Sequence, residues 1–249
     1  MLNMKEQATK YDVPVIDAKV ERIERGEDCF FAHVEGETYQ GASVIMAMGR
    51  ERRKLGLPHE VEWVGKGVSY CSVCDAPLYR NRSAIVVGGG DAAIKAAALV
   101  SQYADKVYVT YRGKELTRPE AINLKKLRER INVELVFNAN VIELKGSDGL
   151  TSVVLDREVN GSRELPTDGL LIEIGADPNI DLAKQLGMNL NAGDEIIVDK
   201  AMRTSADGVF AAGDITAAVQ GAIAATSAHQ HVLEHPNACQ CHAMGYSLA

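Results

Sequence analysis

Long apolar runs are missing from this chain: nowhere in its 249 residues do the roughly 20 consecutive apolar side chains that cross a bilayer occur. The opening Met1-Leu-Asn-Met-Lys-Glu-Gln-Ala8 has no apolar stretch of the kind that marks a secretory leader. No Lys/Arg block offsets the formal net charge of −7, which argues against a nucleic-acid partner. The locally basic stretch Lys114–Arg130 reads as a solvated helix face rather than a phosphate-facing rim. Aromatics are scarce, at 5% of a chain that is 46% hydrophobic, so Ala, Val, Ile and Gly carry the core and α/β layers are favoured over a sandwich. Cysteines number five, an odd count with no even framework, which speaks against a secreted disulfide scaffold and for a reducing cytoplasm. There a close cysteine pair is usually catalytic or metal-binding. Solenoid repeats, low-complexity tracts, a G-x-S-x-G elbow and an H-E-x-x-H helix are all absent.

What is present falls into three stretches. Met1–Tyr11 has helical character, and residues 13–25 and 29–39 alternate apolar and polar as antiparallel strands do. Residues 42–49 read as a buried strand ending in glycine, and the polar linker 50–58 carries a boundary. Strands are then expected at 84–87, 107–111 and 133–137, with helices over 91–103 and 119–130 between them, the order of a doubly wound parallel sheet. Residues 141–155 and 164–174 suggest a small antiparallel insert turning at Asn160-Gly161. Asp177-Pro178-Asn179 breaks the chain again, before short strands at 195–198 and 209–211 and a closing helix over 217–233.

Two motifs carry chemistry. Gly88-Gly89-Gly90-Asp91-Ala92-Ala93 fits G-x-G-x-x-A between a strand and a helix. Gly88 permits the tight turn, Gly90 lets the backbone approach a pyrophosphate, and Ala93 lets helix and sheet pack closely; the phosphates would sit at the helix start, over Asp91 and Ala92. The ribose-binding acid expected some 20 residues on is replaced by Thr110-Tyr111-Arg112, and Arg112 suits a 2′-phosphate, favouring NADP with NAD as the alternative. Cys71-Ser-Val-Cys74-Asp75 places two sulfurs one helical turn apart with an acid beside them for proton transfer. Together these motifs point to a pyridine-nucleotide disulfide reductase. The competing reading of the pair as half a zinc site needs a second pair, for which Cys239-Gln-Cys241-His242 is the candidate; redox is favoured, and no metal site is assigned. Cys29 reads as a buried small hydrophobe. His231 and His235 are four apart, a ligand pair in spacing, but sequence shows no third ligand and they read as helix-end histidines; His33 and His59 have no partner in sequence.

The chain resembles the low-molecular-weight thioredoxin reductases, flavin enzymes with C-x-x-C-D inside the nucleotide domain. The resemblance rests on Val68-Ser-Tyr-Cys-Ser-Val-Cys-Asp75, Val86-Val-Gly-Gly-Gly-Asp-Ala92, Ile45-Met-Ala-Met-Gly49, Ile174-Gly-Ala-Asp-Pro-Asn179 and Thr204-Ser-Ala-Asp-Gly-Val-Phe-Ala-Ala-Gly-Asp214. It implies an α/β fold: a doubly wound, three-layer NAD(P)-binding domain with the redox pair (58–176) inserted into an incomplete FAD-binding domain (1–57 and 177–249 with the C-terminal tail). It implies electrons passing from NAD(P)H through FAD to Cys71–Cys74 and on to a thioredoxin-like protein. Cys71 would attack the partner, Cys74 would face the flavin and Asp75 would donate the proton, while Gly49, Gly213 and Asp214 would contact FAD.

Three departures temper this. The family's N-terminal G-x-G-x-x-G unit for the FAD pyrophosphate has no counterpart here, so weak or lost flavin binding is expected. The family's arginine cluster is reduced to Arg112, and the stretch after Thr216 is shortened. The family's homodimer is therefore in doubt, and the runner-up function is a truncated, catalytically impaired remnant that binds a pyridine nucleotide only. A reductase serving another partner or drawing on another donor stays open, as does a zinc module built on Cys71, Cys74, Cys239 and Cys241.

Overall fold

The strand at Ala84–Val87 shows why the molecule layers as it does. Ala84 and Val86 pack toward helices, while Ile85 and Val87 pack toward a second sheet, and all four are buried. A strand apolar on both faces must sit between two layers. The computed structural model describes residues 2–116, 118–216 and 221–236, and the chain divides into two compact units, Met1–Glu51 with Pro178–Ala249, and Arg52–Asp177.

The first unit begins with α1 (Leu2–Thr9), the antiparallel meander β1 (Val20–Arg25), β2 (Phe30–Val34) and β3 (Glu37–Gly41), and then β4 (Val44–Met46). The chain leaves it through β5 (Arg50–Arg52). The second unit runs β6 (Val68–Ser69), α2 (Ser72–Asp75), β7 (Ser83–Val87), α3 (Asp91–Val100), β8 (Lys106–Tyr111), α4 (Ala121–Arg128) and β9 (Val133–Phe137). It continues with β10 (Val141–Lys145), β11 (Ser152–Val159), β12 (Ser162–Pro166) and β13 (Gly169–Ile172). After β14 (Ala176–Pro178) come α5 (Asp181–Gln185), β15 (Val209–Ala211) and α6 (Gly221–Glu234).

In the second unit five strands form one sheet in the order β6-β13-β7-β8-β9, and the β6–β13, β13–β7, β7–β8 and β8–β9 pairs are all parallel. One face buries Ala84, Val86, Val107, Val109 and Leu171 against Ala93, Ala97 and Val100 of α3 and Leu127 of α4. The other buries Ile85, Leu170 and Ile172 against Val153, Leu155 and Leu165 of the antiparallel sheet β10-β11-β12, with Trp63. The expected three-layer α/β unit is present, with helices on one face and the antiparallel sheet on the other. Asn160 and Gly161, at φ 53° and 83°, form the tight turn between β11 and β12.

In the first unit β4 and β15 pair in parallel, and Met46, Val209, Ala211 and Ile215 share a core with Ile23 and Phe30 of the meander and Ile180 and Ala183 near α5. Residues 195–198 do not form the expected strand; only Ile196 bridges, to Leu190 and Thr216. Ile196 is 2% exposed while Ile197 is 50% exposed, so the apolar run marks one buried anchor rather than a paired strand. The expected closing helix is α6, whose Ala224 and Ala228 pack on Phe210. Residues 217–220 lie outside the described residues, as do Cys239, Cys241 and His242. Cys29 is buried and free, with the Gln40 side-chain N–H donating to its sulfur at 3.1 Å. His33 and His59 do find partners, Glu24 at 3.0 Å and Glu62 at 2.9 Å, and His59 stacks on Trp63. Among the described residues no helix is long and apolar enough to cross a membrane.

Candidate active site

Cys71 and Cys74 are joined as a disulfide, with Cα atoms 5.3 Å apart. Cys71 caps α2, its sulfur accepting the Cys74 backbone N–H at 3.3 Å, and Asp75 N–H donates to the Cys71 carbonyl. The helix is a single four-residue turn, so local N–H contacts rather than an extended dipole surround the sulfurs. A 3-10 turn, Ala76–Tyr79, follows, and the fully buried Ala76 shares a core with Ala93 and Ala97 of α3. The redox turn thus docks on the helix that the glycine turn opens.

That glycine turn is built for a close backbone approach. Gly88 sits at φ +145°, where a Cβ would lie 2.3 Å from the Glu173 carbonyl oxygen and 2.9 Å from Ala93 Cβ. At Gly90, by contrast, a Cβ would meet nothing within 4 Å. Ile94 N–H is the first of α3 to bond back to Gly90, which leaves the N–H groups of Asp91, Ala92 and Ala93 without a partner among the described residues. The Asp91 carboxylate is drawn aside: Lys95 holds it at 2.5 Å, Asn123 at 2.7 Å and the Glu120 N–H at 3.2 Å. The Lys95 bond, then the Asn123 bond, keep this carboxyl below its ordinary range. Arg112, just past β8, is exposed and has no ion pair among the described residues. Open space, spare N–H donors and an available guanidinium fit a pyridine nucleotide's phosphates.

Gly49, Gly213 and Asp214 belong to the first unit, where Gly213 follows β15 with open space around it and Asp214 is exposed. Open ground beside exposed carboxylate oxygens fits a group rich in hydroxyls, as FAD is.

Sequence reasoning missed Glu60, which is only 1% exposed. Its carboxylate accepts the N–H groups of Leu55, Gly56 and Leu57 and the Tyr70 hydroxyl at 2.6 Å, tying this loop to the residue before Cys71. No motif flags a carboxylate whose partners are mainly backbone. Tyr70 is held well above the ordinary tyrosine range by burial, then by its bond to Glu60 and that group's charge. Tyr79 is pushed up to about 12, by burial first and the Asp75 charge second, against an opposing Arg82.

Both phenols lose their proton at lower pH unfolded than folded. Their contribution is therefore complete below the free value of 10.0 and is lost as pH rises toward the folded values, about 12 for Tyr79. Denaturant midpoints should fall between about pH 10 and 12, and the double substitution Tyr70→Phe with Tyr79→Phe should flatten that fall. An unchanged slope in the double variant would locate the alkaline sensitivity elsewhere.

Comparison with known proteins gives a consistent result. The family model described as pyridine nucleotide-disulphide oxidoreductase matches residues 4–235. A thioredoxin reductase of Treponema pallidum is 34% identical over 240 residues, covering 92% of this chain and 77% of the relative. One from Listeria innocua is 36% identical over 219 residues, covering 83% and 68%. The crystal structure of Lactococcus lactis thioredoxin reductase superposes with a TM-score of 0.73 at 30% identity, covering 94% of this chain and 80% of that one.

Proposed function

We infer, for a chain that belongs to the pyridine nucleotide-disulphide oxidoreductases and within them to the low-molecular-weight thioredoxin reductases, that Cys71–Cys74 is the exchange centre of an NAD(P)H-dependent flavin disulfide reductase. The observation that carries this reading is the disulfide itself, held on a turn that docks on the helix of the nucleotide site. Such a bond leaves neither sulfur as a thiolate for zinc, which disfavours the metal-module reading.

After reduction, the Cys71 thiolate attacks a disulfide sulfur of the partner, forming a mixed disulfide and releasing one partner thiolate. Cys74 then attacks Cys71 Sγ, restoring the internal bond and releasing the second partner thiol, with Asp75 as the proton donor. FAD, when bound, supplies the relay between nicotinamide and disulfide, and Gly49, Gly213 and Asp214 are the residues that would hold it. Arg112 favours NADP through its 2′-phosphate. Val73, between the cysteines, and Leu78, on the next turn, are 77% and 65% exposed, an apolar rim suited to a small protein disulfide such as thioredoxin. The compartment proposed is the cytoplasm, where a lone dithiol is kept in redox exchange.

The test is release of thiols from a thioredoxin-like disulfide by NADPH or NADH, with and without added FAD. Turnover requiring both nucleotide and FAD is expected. Silence under every condition, with NADPH still bound by folded protein, would leave the runner-up, a nucleotide-binding remnant.

A further inference from the structure

Outside the redox centre, and among the described residues, one cluster of ligand-type side chains has no assigned work. His231 and His235 lie one turn apart at the end of α6, and the fold brings Asp207, from the turn before β15, against them. One donor atom from each of the three side chains lies within 4.8 Å of the other two. We propose that Asp207, His231 and His235 form a binding site for a single divalent ion of the zinc class.

Three observations support it. First, the His235 Nδ1 lies 2.9 Å from the His231 carbonyl oxygen. A carbonyl only accepts, so Nδ1 carries a proton, and in the neutral ring Nε2 is the nitrogen that offers a lone pair; metal-bound histidines are commonly oriented by such a bond. Second, the His231 ring is seated by its surroundings. A Cβ on Gly208, at φ +77°, would lie 3.0 Å from His231 Nε2, and Phe210 meets the ring edge-on at 6.1 Å. A side chain at position 208 would crowd that ring, which is 13% exposed, and the positive φ there favours glycine. Third, His231 Nδ1 and Asp207 Oδ1 stand 4.0 Å apart, too long for a hydrogen bond and open to an ion between them. Arg25 approaches the other Asp207 oxygen at 3.9 Å, which leaves Oδ1 facing the histidines.

Zn–N bonds of about 2.0–2.1 Å put tetrahedral donors about 3.3 Å apart. The cluster must therefore close by about 1.5 Å at most, and Asp207, with its side chain 74% exposed, is free to move. Two imidazoles and one carboxylate suit zinc, cobalt or nickel rather than magnesium or calcium, which prefer oxygen ligands. Three protein ligands leave a fourth position to water. The bound ion would clamp the end of α6 to the turn that feeds β15.

The test titrates the full chain with Zn²⁺, and with Co²⁺ for its visible spectrum. The Cys71–Cys74 disulfide is kept intact, because the reduced pair would itself take zinc. One equivalent should bind, with a cobalt spectrum free of sulfur charge transfer and a raised melting temperature. His235→Gln and Asp207→Asn, both at exposed positions, should each weaken binding by at least about tenfold and cancel the rise, with unchanged circular dichroism. Cys239→Ser with Cys241→Ser should leave binding unaltered. Absence of binding, undiminished binding in His235→Gln and Asp207→Asn, or loss in the double-serine variant would each overturn the proposal.

Discussion

Replacing either Cys71 or Cys74 by serine should lower nucleotide-driven disulfide reduction by at least about 10³-fold, the loss expected when a nucleophile that forms a covalent intermediate is removed. The two variants should fail differently. Cys74→Ser keeps the attacking thiol and loses the one that resolves it, so incubation with an oxidised thioredoxin-like partner after reduction should accumulate a mixed disulfide, seen as a non-reducing gel band of summed mass. Cys71→Ser should give no such band. Stability should change little in both, because Cys71 and Cys74 span a three-residue separation on a surface turn and close a short loop. A band in Cys71→Ser but not in Cys74→Ser would reverse the roles; undiminished turnover in either would remove the pair from the chemistry.

The second large effect separates folding from ligand binding within one turn. Gly88→Ala places a methyl 2.3 Å from the Glu173 carbonyl oxygen at a φ of +145°. Backbone strain and overpacking together should cost about 2–5 kcal/mol, read from denaturant unfolding, and nucleotide affinity should fall with it. Gly90→Ala should behave in the opposite way. Gly90 has φ −90° and ψ 177°, which alanine adopts freely, and its Cβ would touch nothing. Stability should stay within about 0.5 kcal/mol, while NADPH affinity drops at least about tenfold if the proposed nucleotide site is right, because the methyl would fill the open space proposed for the pyrophosphate. Equal affinity for NADPH in Gly90→Ala and the parent chain would move the nucleotide away from this turn.

The sequence revealed most where a pattern is local. Ala84–Val87 was legible within about a residue because a parallel strand buried on both faces reads as a short continuous apolar run, and Val107–Tyr111 and Val133–Phe137 because they are short β-branched and aromatic runs between helical stretches. Asn160-Gly161 was legible because few residue pairs accept two successive positive φ values. The dithiol and glycine turn carry their chemistry in consecutive residues. Other features depend on partners far along the chain. Ile196 looked like part of a strand because it is buried, yet its bridges run to Leu190 and Thr216 and no ladder forms. β13 pairs with both β6 and β7, an insertion of a late strand between two early ones that periodicity does not encode. Glu60 was silent because its partners are mostly backbone N–H groups. The histidine pair lacked a third member in sequence because Asp207 precedes His231 by 24 positions (231 − 207) and only folding brings them together.

The division of the chain also sets an order of assembly. Everything the second unit requires lies in one uninterrupted stretch, 52–177, whereas Phe30 and Met46 of the first unit await Val209 and Ile215. During synthesis the host segment emerges first and stays without its core while the guest completes its own. A ribosome stalled near residue 210, its tunnel still enclosing the last few dozen residues, would therefore display a finished second unit on an unfinished first one.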